Sequence, residues 1–315
     1  MSIRPSPSPR QRGAALLTAM IIVTLVTTLA AAMVWQQWRA VQVETAERAR
    51  AQAAWILSGA LDFAKLILRE DLKVRPNYTA LTEPWATPLA ESRLSTFLAV
   101  DKANADDGPE AFLSGNITDA QGRYNLANLI NAAKVDPEEL AVLERLCQTV
   151  GIATGVAARI ATGLLDASVG TSAGAPLRPV NVAQLTWLGV DAASVQALAP
   201  YVVLFQVTTP INVNTASSEV LTAVIKGMDP ATAAHLVQVR QRTPFKTLQE
   251  FTNQIPALLP ITAKVDVRSS YFEVRGRLRL VDRVLVERSL LQRLQGGQFK
   301  VWERERIASL EQVSG

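Results

Sequence analysis

The side chains able to do chemistry are few and poorly spaced for it. The 315 residues hold one histidine, His235, and one cysteine, Cys147. One cysteine excludes thiolate clusters and any internal disulfide, and one histidine removes histidine-based metal sites and histidine-dependent hydrolase triads almost entirely. His235 suits a helix surface, and Cys147, in the helical context LERLCQ, suits a buried small apolar position. The densest set of hard oxygen ligands is Asp101, Asn104, Asp106 and Asp107, followed by Gly108. Calcium takes such ligands, although the spacing is not that of an EF-hand loop and a solvated turn is the simpler reading. Lys226, Arg240, Arg242 and Lys246 surround Gly227-Met228-Asp229, a hairpin of the kind that offers backbone amides to phosphate. Asp229 stands where a second glycine would let a phosphate approach, so nucleic acid is disfavoured. No phosphate loop and no nucleophile with a base stands out, which argues against an enzyme. The remaining candidate is a bond to be cut, Gly13–Ala14, with Arg10 and Arg12 before it and an apolar run after it.

That run, Ala14 to Trp35, carries no ionisable group, and no acid appears before Glu44. A bilayer core takes about 20 helical residues, so the run is long enough to cross one. Arg4, Arg10 and Arg12 precede it, and the positive-inside bias holds that end in the cytoplasm of a single-pass protein with the bulk of the chain exported. Three fates remain open for the segment. A signal peptidase could cut at Ala30-Ala31-Ala32 and leave a start at Met33, the run could stay as a plain anchor, or the cut could fall after Gly13. Residues 1–13 are rich in Pro, Ser and Arg and read as a leader rather than a domain.

The basic leader, Gly13 and the long apolar helix together resemble a type IV prepilin, which implies cleavage after Gly13 by prepilin peptidase and methylation of Ala14. Most pilins and pseudopilins carry Glu at the fifth mature residue, which here is Thr18. A carboxylate inside the membrane costs roughly 3 kcal/mol and must find a partner, which in the family is the terminal amine of a neighbouring subunit. A subunit with no neighbour above it has no such partner. The neutral Thr18 therefore resembles the minor pseudopilin placed at the filament tip, the protein K family of the type II, or general, secretion pathway.

The rest of the chain is expected to divide as follows. Apolar residues recur at helical spacing from Ala46 to Leu72 and stop before Pro76, so residues 36–75 continue the membrane helix of 14–35. Residues 76–129 form the first part of a pilin-like head. Within them Phe112 to Leu126 reads as two short alternating runs about a glycine-containing turn, a hairpin. Asp119, Gly122, Arg123, Asn125, Leu126, Asn128 and Leu129 carry a further resemblance to the protein K family. They read as turn and backbone-bonding residues. Residues 130–260 are mostly helical, with starts at Asp136-Pro137-Glu138-Glu139 and Asp229-Pro230. Near 211–253, Ile211-Asn212-Val213-Asn214-Thr215-Ala216 and the helices after it resemble the helix-hairpin-helix unit of competence DNA receptors and also belong to the protein K pattern. Residues 261–315 switch to strand period, with Arg275, Arg277 and Arg279 on what reads as the wet face of a sheet.

The fold class expected is α+β: a long N-terminal membrane and amphipathic helix, a pilin-like head with an antiparallel sheet, and a large inserted all-helical domain. Removing residues 1–13 takes away three arginines and no acid, lowering the net charge from +4 to +1, so charge gives no case for nucleic acid. The resemblance implies a non-enzymatic tip subunit that initiates or caps the pseudopilus for protein export. Its partners would be other minor pseudopilins, prepilin peptidase and inner-membrane lipid, with exported proteins or the outer-membrane channel as further contacts. It requires no cofactor, with calcium allowed at Asp101, Asn104, Asp106 and Asp107. A minor pilin of a type IV pilus and a membrane-tethered DNA receptor are the alternatives.

Overall fold

The computed structural model describes residues 12–94, 111–153, 155–170, 176–280 and 283–307. The first element, α1, is a 63-residue helix over Arg12–Val74. The chain divides into two compact units at residue 56.

In the first unit the apolar run is helical and exposed from Ala14 onward. Its four threonines hide their hydroxyls: Thr18, Thr24, Thr27 and Thr28 each donate to carbonyls three and four residues back. This lets a polar side chain sit in an apolar helix without an outside partner. Beyond Trp38, Glu44–Arg48 and Glu47–Arg50 pair along the helix surface.

In the second unit the last turns of α1 bury Leu57, Leu61, Ala64 and Leu68, a spacing of four and three that forms one stripe. The stripe lies on a five-stranded antiparallel sheet whose order follows the chain: β1 (Leu89–Arg93), β2 (Ala111–Asp119), β3 (Tyr271–Leu280), β4 (Arg283–Arg293) and β5 (Phe299–Ile307). Trp85, Ile117, Phe272, Val274 and Leu291 complete the core between helix and sheet. Gly115 and Gly276 are register partners in β2 and β3, and Leu57 packs on the flat spot they leave. A Cβ on Gly115 would stand 2.6 Å from the Arg275 carbonyl oxygen.

The hairpin expected over 112–126 does not form. Residues 111–119 are one continuous strand between β1 and β3; the chain does turn at Ala120–Gly122, where the Asp119 side chain accepts the Gln121 N–H, but Tyr124–Asn125 then pairs in parallel with Val202–Val203 instead of folding back on 111–119. The chain leaves the sheet at Asp119 and returns beside it, since Asp119 is paired with Phe272. Everything between is the insert.

The insert is built from helices: α2 (Pro137–Thr149), α3 (Gly155–Val169), α4 (Ala192–Leu198), α5 (Ser218–Val224), α6 (Pro230–Arg242) and α7 (Leu248–Thr252). Asp136, Asp191, Ser217, Asp229 and Thr247 each accept a backbone N–H of the first turn they precede. Their inner faces share one core with Leu143, Leu146, Ile160, Leu185, Leu221 and Phe251 at its centre. Cys147 is buried in it, whereas His235 is exposed on α6.

Candidate functional site

Two stretches of sequence with unusual amounts of Asn and Asp, 119–128 and 212–215, meet where the insert joins the sheet. Asp119, the last residue of β2, is buried and accepts four hydrogen bonds. They come from Asn212 Nδ2 at 2.9 Å, Thr215 Oγ1 at 2.6 Å, Ser269 Oγ at 2.5 Å and the Gln121 backbone N–H at 2.8 Å. Burial pushes its carboxyl pKa up, and the four donors pull the other way. Asn212 also donates to the Thr79 carbonyl oxygen at 2.9 Å, tying in the connection after α1. Gln121 reaches across in the same sense, its Nε2 donating to Pro210 O at 3.0 Å and its Oε1 accepting the Tyr271 N–H at 3.1 Å. Gly122 is needed for contact, because a Cβ there would stand 3.0 Å from the Thr215 carbonyl oxygen.

The other asparagines stand in for strand neighbours. Asn125 accepts from Phe205 N and Ala127 N at 3.1 Å and donates to Val207 O at 2.7 Å and Thr209 Oγ1 at 3.1 Å. All four of its hydrogen-bonding positions are thereby filled. Asn128 forms a reciprocal pair with the backbone of Thr209, and Asn214 does the same with Phe245. These side chains therefore do bond backbone, as their type suggested, but mostly across the fold rather than nearby. No proton acceptor in the cluster faces a free nucleophile, and every donor named is occupied. The arrangement is a fastening.

The basic residues near the helix hairpin do not form an anion site together. Arg240 is buried, its fork donating to the Val213 and Ala216 carbonyls, and desolvation lowers its pKa to about 10. Its position on the inner face of α6, in line with Ala233 and Leu236, separates it from the other three cations grouped around the hairpin. Lys226, Arg242 and Lys246 are exposed. Gly227 has φ +83° as the hairpin requires, and Asp229 caps α6, bonding Thr232 N and Oγ1.

Glutamates answer part of the arginine stripe of β3. Glu91 pairs with Arg277 and Arg279, and the Arg279 guanidinium beside it lowers its pKa. Arg123 pairs with Glu273 at 2.8 Å. Among the described residues no three His, Cys, Asp or Glu side chains gather as metal ligands. Asp101, Asn104, Asp106 and Asp107 lie outside the described residues.

At the other end, Gly13 and Ala14 fall inside α1. Thr18 Oγ1 donates to Ala14 O at 2.6 Å and Ala15 O at 3.2 Å, so its hydroxyl is satisfied within its own helix. The 14–74 segment is long and apolar enough to cross a membrane.

Two family models described as "Type II secretion system (T2SS), protein K" match residues 122–207 and 211–273, the two halves of the insert. The type II secretion system protein K of Pseudomonas aeruginosa is 30% identical over 94% of this chain and 92% of its own. That of Klebsiella pneumoniae is also 30% identical, over 94% of this chain and 96% of its own. A solved chain from the GspK-GspI-GspJ complex of enterotoxigenic Escherichia coli has the same fold, with TM-score 0.66 and 21% identity over 84% of this chain and 99% of its own.

Proposed function

Because the chain belongs to the type II secretion system protein K family, we propose that it is the minor pseudopilin at the tip of the pseudopilus, where it initiates or caps the filament for protein export across the outer membrane. The observation that carries the tip assignment is Thr18, which bonds only carbonyls of its own helix. A carboxylate at this depth would call for a cationic partner from another subunit, and this helix makes no such demand.

In this reading prepilin peptidase cuts after Gly13, Ala14 is methylated, and the helix holds the chain in the inner membrane with the head and insert in the periplasm. The bounds at 13, 35 and 75 belong to the same proposal, and the insert proposed for 130–260 takes in its flanks as well, from Asp119 to Phe272. The membrane helix packs against those of other minor pseudopilins by close apolar contact. The Escherichia coli relative of the same fold was solved with GspI and GspJ, which supports corresponding partners here. The subunit assembles and catalyses nothing: its one histidine is exposed on α6, and burial raises the Cys147 thiol pKa to about 11. Calcium at Asp101, Asn104, Asp106 and Asp107 remains part of the proposal, with metal content after dialysis as its check.

Intact mass and N-terminal sequence of the protein recovered from membranes of cells that contain the peptidase test this reading. N-methylated Ala14 is the expected start. A start at Met33 would mean release by signal peptidase, and an uncut chain would mean a plain anchor; either sinks the proposal.

A further inference from the structure

The buried stripe of α1 that carries Leu57, Leu61, Ala64 and Leu68 continues at the same spacing to Asp71, which is 6% exposed. An acid there faces the core. Its Oδ1 is held by Arg75 Nη1 at 3.0 Å, but Oδ2 is buried with no donor. Glu83, on the connection that follows α1, is 2% exposed and repeats the pattern: Trp85 Nε1 donates to its Oε2 at 2.5 Å, while Oε1 is buried with no donor. The two carboxyls lie within hydrogen-bonding reach of each other. Two ionised carboxylates in that position would repel at low dielectric, with one oxygen of each left unsatisfied. One proton between them removes both costs, since a protonated carboxyl donates and its neighbour accepts.

The surroundings do not supply a substitute. Arg75 binds Asp71 Oδ1, and Tyr78, on the connection, lies in the field of that guanidinium. Arg293, from the end of β4, lies in the field of Asp71, Asp119 and Glu83, yet its Nε and Nη2 are buried without an acceptor. Its guanidinium sits 4.6 Å over the Phe272 ring instead. Trp85 packs edge-on against the same ring, with centroids 5.5 Å apart.

We propose that Glu83 holds a proton and donates it in a hydrogen bond to the Asp71 carboxylate, and that this pair is a pH-sensitive latch fastening the 76–88 connection to the end of α1. When the proton leaves, two adjacent carboxylates must separate or draw in the Arg293 guanidinium, and the connection with Trp85 loosens from the helix. Burial first, and Asp71 after it, raise the Glu83 pKa from 4.5 to about 7, which sets the working range. Since the folded state holds the proton more tightly than the unfolded chain, the stabilisation is intact below about pH 4.5, declines as pH rises to about 7, and changes little above that.

The test uses the full chain in detergent micelles. The Trp85 indole N–H bonds Glu83 directly, so its NMR resonance, assigned with Trp85→Phe, reports the pair between pH 5 and 9. The expected result is a titration with a midpoint near 7 and a denaturation midpoint that falls as pH rises towards 7 and is level above it. Glu83→Gln should abolish both, and Asp71→Asn should move the Trp85 titration down by at least one pH unit. A Trp85 resonance that does not titrate, or does so only at the ordinary carboxylate pH, overturns the proposal. So does an Asp71→Asn titration that stays in place. Should Glu83→Gln fail to fold, the wild-type and Asp71→Asn titrations still decide.

Discussion

Asn212 donates its side-chain amide to Asp119 Oδ2 at 2.9 Å across 93 residues of sequence, joining the second half of the insert to the strand from which the insert departs. Asp119→Ala leaves four donors without their acceptor and should cost about 2–4 kcal/mol. Asn212→Ala should cost about 1–3 kcal/mol, and the double variant should fall short of the sum by about 1 kcal/mol or more. Urea denaturation of the four proteins of the cycle measures this. Simple additivity would mean that the two residues are not coupled.

The paired glycines of β2 and β3 separate two kinds of crowding. Gly115→Ala puts a methyl 2.6 Å from a backbone oxygen that cannot move alone, whereas at Gly276 the obstacle is the end of the Leu57 side chain at 3.2 Å. Thermal unfolding should show Gly115→Ala losing about 1–3 kcal/mol and Gly276→Ala less than about 1 kcal/mol. The reverse order would contradict the packing described.

Arg240 holds the 213–216 loop through two carbonyls, and only a planar fork reaches both. Arg240→Lys should therefore destabilise by about 2 kcal/mol, while Arg242→Ala and Lys246→Ala stay within about 0.5 kcal/mol. None of the three should change retention on duplex DNA at moderate salt. Salt-sensitive binding lost in Arg242→Ala would restore the nucleic-acid reading.

Burial raises the Cys147 thiol pKa from 9.0 to about 11, so at pH 8 its thiolate population is roughly 100-fold below that of an ordinary thiol. Modification by a thiol-specific disulfide reagent should be at least that much slower in the native chain than in urea. Comparable rates in the two conditions would place Cys147 at a surface.

Local signals were legible where local chemistry settles the outcome. Asp136 and Asp229 mark helix starts because the cap and its N–H lie within three residues of each other. The alternation of β3 and the apolar spacing of α1 were readable for the same reason. Asp119, Asn125, Asn128 and Asn212 were recognisable as a pattern, but their partners lie up to 150 residues away, so their fastening role was not. The turn at Asp119 and Gly122 was readable for the same local reason, but that Tyr124–Asn125 pairs with Val202–Val203 rather than with the strand before the turn was not, because that partner is distant in sequence. Arg240 was grouped with the other cations around the hairpin because composition cannot tell a cation in solvent from one that binds carbonyls. Asp71 gave a signal that periodicity alone could have raised: an acid at the position where the stripe calls for an apolar residue.

Since Asp119 and Phe272 face each other on adjacent strands, the whole of 120–270 is, topologically, the loop of one β-hairpin. Its ends sit a strand spacing apart, about 4.8 Å. Such a loop can be lengthened at little entropic cost, about 0.6 kcal/mol for each doubling, without disturbing the strand register on either side. The sheet and the insert are thus free to change separately. A graft replacing the insert by a short turn would close the same hairpin, and a larger module with neighbouring ends could be carried at the same rung.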